Sequence, residues 1–143
     1  MSSNQVTASA GSSTRAPLTV WGRILLIFLF VNGLGAVVGG IGVMNGIMPF
    51  PEVWLEGTPF HSYFLPGLIL CVVVGSAHLA AAFVVLLSCS ATARIAALCA
   101  GLILTGWMIA ELKLIGFQAP IQVWFVGVGL VEVALSFTKL RHS

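Results

Sequence analysis

Four long apolar segments, each with few charged residues, follow one another along this chain of 143 residues. They cover approximately residues 21–48, 63–87, 93–114 and 119–140. Each reaches the roughly 20 residues that a helix needs to cross the apolar core of a bilayer. Because an open strand edge cannot face lipid, each segment predicts a helix rather than strands. The pattern therefore predicts one all-α domain over residues 20–140, an integral membrane four-helix bundle.

The composition agrees with a bilayer as the solvent of this chain. Hydrophobic residues make up 59% of it and charged residues only 7%, whereas a soluble domain carries about 25% charged residues. The mean hydropathy is +1.09, and a soluble core of this length could not hide so much apolar surface. We therefore expect a multi-pass protein of the cell membrane. The net charge of +2 is small and scattered, which argues against a nucleic-acid partner.

Both ends of the chain are predicted to lie in the cytoplasm. Residues 1–19 are small and polar, which is typical of a disordered tail. Lys113 lies at one end of the predicted helices, and the other five basic residues lie at the opposite end: Arg15, Arg23, Arg94, Lys139 and Arg141. By the positive-inside rule, the end with five basic residues faces the cytoplasm.

The segment between the first two predicted helices, about residues 49–62, is aromatic, acidic and interrupted by prolines. Aromatic rings settle at the membrane interface, and prolines disfavour a continuous helix. We expect a bent loop on the outer surface, with one short helical turn near residues 52–56. Two interpretations stay open: a simple aromatic anchor, and a lid over a cavity between the helices.

A polar residue lies near the middle of each predicted helix: Asn32, His78, Thr105 and Glu132. With a rise of about 1.5 Å per residue, all four fall at about the same depth. Ionisable groups at that depth are costly and usually face the bundle interior or a partner group. We predict a buried polar cluster with a hydrogen bond between His78 and Glu132 at its centre. A purely structural role and a ligand or proton site both stay open.

A second polar group is predicted at the outer ends of the third and fourth helices. Trp107 and Glu111 are four residues apart and share a helix face, and Gln122 begins the next helix at the same level. Together with Trp54 of the outer loop, they form a candidate ligand-binding site. An ordinary interfacial carboxylate at Glu111 is the alternative.

The first helix is rich in glycine, with two pairs spaced by four residues: Gly35 and Gly39, and Gly42 and Gly46. Small residues at this spacing let helix backbones approach closely in lipid. The pairs indicate tight packing, either within the bundle or in a homodimer.

Common catalytic motifs are absent from the sequence. It has no phosphate-binding glycine loop, no H-E-x-x-H and no G-x-S-x-G, and its three histidines do not have the spacing of a metal site. We therefore predict no metal, no cofactor and no catalytic residue. An enzymatic role stays open only through His78 and Glu132 acting as acid and base.

The stretches PEVWLEGTPFHSYFLPGLIL and GWMIAELKLIGFQAPIQ resemble a group of small, uncharacterised bacterial four-helix membrane proteins. The matching residues are Trp54, Leu55, Gly57, Thr58, Pro59, Phe60, Pro66, Gly67, Trp107, Glu111 and Gln118. More distantly, Pro66, Gly67 and the stretch ATARIAALCAGLIL resemble DoxX-like proteins. That resemblance implies an accessory subunit of membrane oxidoreductase or oxidative-stress complexes.

Two classes of function follow from these observations. The first is an accessory membrane protein that docks onto a larger membrane complex, or that holds a lipid or quinone-like molecule under the outer loop. The second is a proton-coupled transporter of small molecules that uses Glu132 or Glu111 with His78. Small multidrug transporters carry an essential carboxylate in their first helix, where this chain has Asn32, so the first class is favoured.

Overall fold

The computed structural model describes residues 16–88 and 90–141, which form four helices and no strand. The helices are α1 (Val20–Met44), α2 (Phe64–Leu87), α3 (Ser90–Ile115) and α4 (Pro120–Ser136). The all-α prediction is confirmed. Helix α1 packs along α2 and touches α4, and α3 packs against both α2 and α4.

Three of the four helices are long and apolar enough to cross a membrane. The mean hydropathy of their most apolar windows is 2.4 in α1, 2.5 in α2 and 1.9 in α3. Helix α4 is also apolar but has only 17 residues. A length of 17 residues lies at the lower limit for a transmembrane helix.

Helices α1 and α4 end four residues earlier than predicted, and hydrogen bonds at their C-termini explain why. After α1, the side chain of Asn45 donates to the carbonyl of Ile41 at 2.8 Å. After α4, the hydroxyl of Thr138 donates to the carbonyl of Leu135 at 2.7 Å. Both side chains satisfy carbonyls that a helix end leaves free, so the chain can turn away there. Hydropathy does not record such bonds.

The segment after α4 returns to the start of α1. The backbone N–H of Thr19 donates to the carbonyl of Leu140 at 2.9 Å, and its hydroxyl donates to the carbonyl of Lys139 at 2.6 Å. The same hydroxyl accepts the N–H of Gly22 at 3.1 Å, so Thr19 is the N-cap of α1. Of the predicted tail, residues 16–19 are thus held in place, and residues 1–15 lie outside the described part of the chain.

Arg141 ties the ends of several segments together beneath this contact. Its guanidinium donates to four backbone carbonyls, those of Ala16, Val85, Leu86 and Ser88, at 2.7, 2.8, 2.9 and 3.0 Å respectively. Arg94 holds the C-terminus of α4 to α3, because its Nε donates to the carbonyl of Ser136, the last residue of α4, at 2.9 Å. A cation at a helix C-terminus also interacts favourably with the helix dipole.

Helices α1 and α2 approach closely through glycines. A methyl group added at Gly40 would lie 2.5 Å from the carbonyl oxygen of Gly67, and one added at Gly75 would lie 2.7 Å from Val37. The predicted pair Gly35 and Gly39 does not make this contact, since a methyl group at Gly35 would meet no atom within 4 Å. Tight packing in α1 therefore uses a different face from the one that the four-residue spacing indicated.

Candidate functional site

A buried carboxylate joins three helices. The Oε1 atom of Glu132 on α4 accepts a hydrogen bond from Nδ2 of Asn32 on α1 at 2.8 Å. Its Oε2 atom lies 3.0 Å from Nε2 of His78 on α2. His78 and Glu132 are both fully buried, with no exposed surface. Helices α1, α2 and α4 are therefore linked at one point by polar side chains.

The other ring nitrogen of His78 determines where the protons lie. Its Nδ1 atom is 2.8 Å from the carbonyl oxygen of Val74, and a carbonyl can only accept. Nδ1 therefore carries a hydrogen. The contact between Nε2 and Glu132 then holds one proton, either on an imidazolium facing a carboxylate or on a carboxylic acid facing a neutral imidazole. Both forms have zero net charge, so the arrangement can keep one proton without exposing a lone charge to the apolar interior.

The local shape of α2 accompanies this arrangement. Its residues Leu70–Gly75 form a π-helical turn, which lies directly before the helical turn that carries His78. Such turns are rare and are found often at functional sites. The hydroxyl of Ser76 and Nδ1 of His78 bond the carbonyls of Val72 and Val74, both within the π-helical turn. Hydropathy does not distinguish a π-turn from an α-turn, so sequence analysis missed the role of Val74.

Thr105, the fourth member of the predicted cluster, lies apart from this network. Its hydroxyl donates to the carbonyl of Gly101 in its own helix at 2.8 Å. It packs closely against Gly129 of α4, where an added methyl group would collide with its Oγ1 atom. The structure thus connects Asn32, His78 and Glu132, and gives Thr105 a role in packing α3 against α4.

A cavity of about 460 Å³ lies between the helices and the loop that joins α1 to α2, residues 45–63. The four candidate ligand-binding residues all line it: Trp54, Trp107, Glu111 and Gln122. Asn32 lines it as well, so one side chain belongs to both the cavity wall and the buried polar network. Gly35 and Gly39 are further wall residues, and their missing side chains help to leave the space open.

The α1–α2 loop is folded as the roof of this cavity. It contains a short 3-10 helix at Glu52–Leu55, close to the predicted turn, and Trp54 and Phe60 line the cavity. The hydroxyl of Tyr63 donates to the carbonyl of Pro51 at 2.6 Å. Burial raises the pKa of Tyr63, and the neighbouring Glu52 carboxylate raises that pKa further.

Internal contacts hold the loop in this shape. The ring of Phe50 lies 5.8 Å from that of Trp54 and 5.7 Å from that of Tyr63, which are favourable separations for aromatic pairs. The hydroxyl of Thr58 donates to the carbonyl of Leu55 at 2.8 Å, next to Gly57, whose positive φ of 80° suits glycine. These contacts within the loop therefore hold it in one shape over the cavity.

Glu111 and Gln122 meet at the side of the cavity nearest the loop between α3 and α4. Gln122 is buried, and its Oε1 atom accepts the backbone N–H groups of Gln118 at 2.8 Å and Ala119 at 3.2 Å. Its Nε2 atom lies 3.5 Å from Oε1 of Glu111, longer than a normal hydrogen bond. Gln122 is thus anchored in the start of α4, while the carboxylate of Glu111 keeps most of its capacity to accept hydrogen bonds.

Comparison with known proteins adds no relative. No family model matches the chain, and neither a curated protein nor a solved structure shows significant similarity to it. Within residues 16–88 and 90–141, no three histidine, cysteine or acidic side chains come together in a way that could hold a metal ion. The functional interpretation therefore depends on the cavity and on the buried polar network.

Proposed function

We propose that this chain is a multi-pass four-helix bundle of the cell membrane, with both termini in the cytoplasm. Large apolar side chains that are more than half exposed occur on every helix, among them Phe30, Val38, Phe83, Ile95, Trp124 and Leu130. So much exposed apolar surface suits lipid and would make a water-soluble monomer aggregate. Arg94 and Arg141 at one end, opposite the acidic α1–α2 loop, support the orientation.

Within the membrane, we propose that the protein holds an apolar molecule in the cavity under the α1–α2 loop. The observation that carries this proposal is the cavity itself, about 460 Å³, walled by apolar and aromatic side chains with a few polar groups. Small-molecule sites have this size and this character. A lipid or a quinone-like molecule fits the description, and the resemblance to DoxX-like proteins supports an accessory role beside a larger membrane complex.

Native mass spectrometry of the protein, extracted gently with its own lipids, tests this function. We expect a bound apolar molecule that is lost or reduced in Trp107→Ala and Glu111→Ala. Gly35→Leu should also reduce its occupancy, because the new side chain enters the cavity. Gly106→Leu is the matched control, since Gly106 lies in open space on α3 and does not line the cavity.

The other outcomes separate the alternatives. A stable larger partner or a homodimer with an empty cavity would indicate an accessory protein that works by docking alone. Retention of the bound molecule in Gly35→Leu, to the same extent as in Gly106→Leu, would contradict the cavity as its site.

The buried network supports a second candidate, a proton-coupled transporter of small molecules. Glu132 and His78 hold one proton between them, and Asn32 connects them to the cavity wall. In vesicles with a pH gradient, Glu132→Gln should abolish proton-driven uptake while the protein still assembles. Unchanged uptake in that variant would exclude this pair from coupling.

A further inference from the structure

The cavity contains both aromatic rings and a carboxylate. Six aromatic side chains line it: Phe50, Trp54, Phe60, Tyr63, Trp107 and Phe125. Among the described side chains on its wall, Glu111 carries the one carboxyl group, and it accepts only the long contact from Gln122. A carboxylate in apolar surroundings with so few partners is costly unless a cation or hydrogen-bond donors pair with it.

No basic side chain within residues 16–88 and 90–141 pairs with this carboxylate in the cavity. None of the described lysine or arginine side chains lines the cavity. Lys113 is the closest along the chain, but residues two apart on a helix do not face each other, and its side chain is exposed. The α1–α2 loop adds Glu52 and Glu56 and contains no lysine or arginine. Negative charge therefore predominates around the roof, which attracts cations.

We propose that the cavity selects lipophilic cations, that is, apolar molecules carrying one positive charge. The charge would pair with Glu111, and the apolar body would lie against the aromatic rings. Aromatic faces attract cations, and a desolvated pairing with a carboxylate is stronger than one in water. A neutral ligand of the same shape leaves Glu111 unpaired, and an anion is repelled by it. This inference rests on the proposed function and narrows it to one class of ligand.

Three probes of similar shape and different charge test the inference on the unaltered protein. The full chain in nanodiscs of zwitterionic lipid is titrated with tetraphenylphosphonium, triphenylphosphine oxide and tetraphenylborate. Equilibrium dialysis measures binding, and partitioning into protein-free nanodiscs is subtracted. We expect the phosphonium cation to bind at least about ten-fold more tightly than the neutral oxide, and the borate anion to bind least.

Two variants that each remove one negative charge then test which carboxylate binds the cation. Glu111→Gln should weaken binding of the phosphonium cation by about ten-fold or more, while binding of the neutral oxide changes less than about two-fold. Glu56→Gln removes the same charge from the exposed part of the loop, outside the cavity, where solvent screens it, so binding of the cation should weaken by less than about two-fold and binding of the oxide should not change.

Each result has a distinct meaning. Equal binding of cation and neutral probe, or a Glu111→Gln variant that binds the cation as well as the unaltered protein does, would overturn the inference while leaving an apolar-ligand site in place. If none of the three probes binds and native mass spectrometry also shows an empty cavity, the proposed function itself fails. If Glu111→Gln does not fold, the comparison of the three probes on the unaltered protein still decides the matter.

Discussion

Replacing Glu132 by glutamine or by leucine tests whether its contact with His78 needs a negative charge or only a hydrogen bond. A glutamine carbonyl can accept from Asn32, and its amide can donate to Nε2 of a neutral His78, whose Nδ1 keeps its hydrogen. Both hydrogen bonds of Glu132 therefore survive in Glu132→Gln. Leucine has a similar size but leaves Asn32 and His78 each without this partner.

The expected losses in the free energy of unfolding differ enough between the two variants to be distinguished. Each stranded polar group in a buried site costs about 1–3 kcal/mol, so Glu132→Leu should lower the free energy of unfolding by about 2–6 kcal/mol. Glu132→Gln strands one amide hydrogen, for which we expect a loss of about 1 kcal/mol. Hydrogen bonds between helices in membranes contribute about 0.6–2 kcal/mol, which places the leucine value toward the lower end of its range.

Unfolding in mixed micelles with increasing fractions of a denaturing detergent, followed by tryptophan fluorescence, measures both variants. The expected order of stability is the unaltered protein, then Glu132→Gln slightly below it, then Glu132→Leu clearly lower. A glutamine variant as unstable as the leucine variant would refute the reasoning, since the charge on Glu132 would then be essential. The infrared spectrum gives a second readout: a protonated Glu132 shows a carboxylic-acid band that Glu132→Gln removes.

Three further predictions concern the packing of α1, the α1–α2 loop and the contact between residues 16–19 and the segment after α4. Gly40→Ala should lower the free energy of unfolding by about 1–3 kcal/mol through overpacking, whereas Gly35→Ala should not, as unfolding in micelles will show. Glu52→Gln should lower the pKa of Tyr63, measured by alkaline absorbance titration, because the chain has one tyrosine. Since the folded pKa of Tyr63 is raised, its contribution to stability is present below about pH 10 and is lost as pH rises through that pKa. Arg141→Ala should lower the free energy of unfolding by about 2–4 kcal/mol and speed hydrogen exchange in residues 16–19 and 138–140, measured by mass spectrometry; unchanged exchange would contradict its role there.

Hydropathy predicted the helices well because the apolar stretches are long and are separated by polar or proline-containing connections. The four-residue errors at the ends of α1 and α4 arose from Asn45 and Thr138, whose side chains bond the last carbonyls. Such bonds depend on local geometry that hydropathy does not contain.

The polar cluster was predicted from the position of each residue along its helix, and that position does not show which way the side chain points. Asn32, His78 and Glu132 lie at one level and face one another, whereas Thr105 lies near that level and bonds its own helix. Depth along a helix follows from counting residues, but the face that a residue presents depends on how the helices pack. The glycines of α1 show the same limit, since Gly40 rather than Gly35 meets α2.

The candidate ligand site could be assembled from the sequence because its members share one level. Trp54, Trp107, Glu111 and Gln122 all line the cavity. The volume of the cavity was not predictable, because it depends on how the α1–α2 loop folds over the helices. That fold rests on a few contacts within the loop, such as the hydrogen bond from Tyr63 to Pro51.

The π-helical turn at Leu70–Gly75 acts as an angular spacer within α2. On one side of it lies Pro66, a cavity-wall residue, and on the other lies His78 of the buried network. If the same residues formed regular α-helix instead, the two parts of α2 would be rotated relative to each other by about 100°, the angle that one residue covers. Pro66 and His78 could then not both face the bundle interior. The π-helical turn therefore keeps the cavity wall and the buried pair of His78 and Glu132 on the same side of α2.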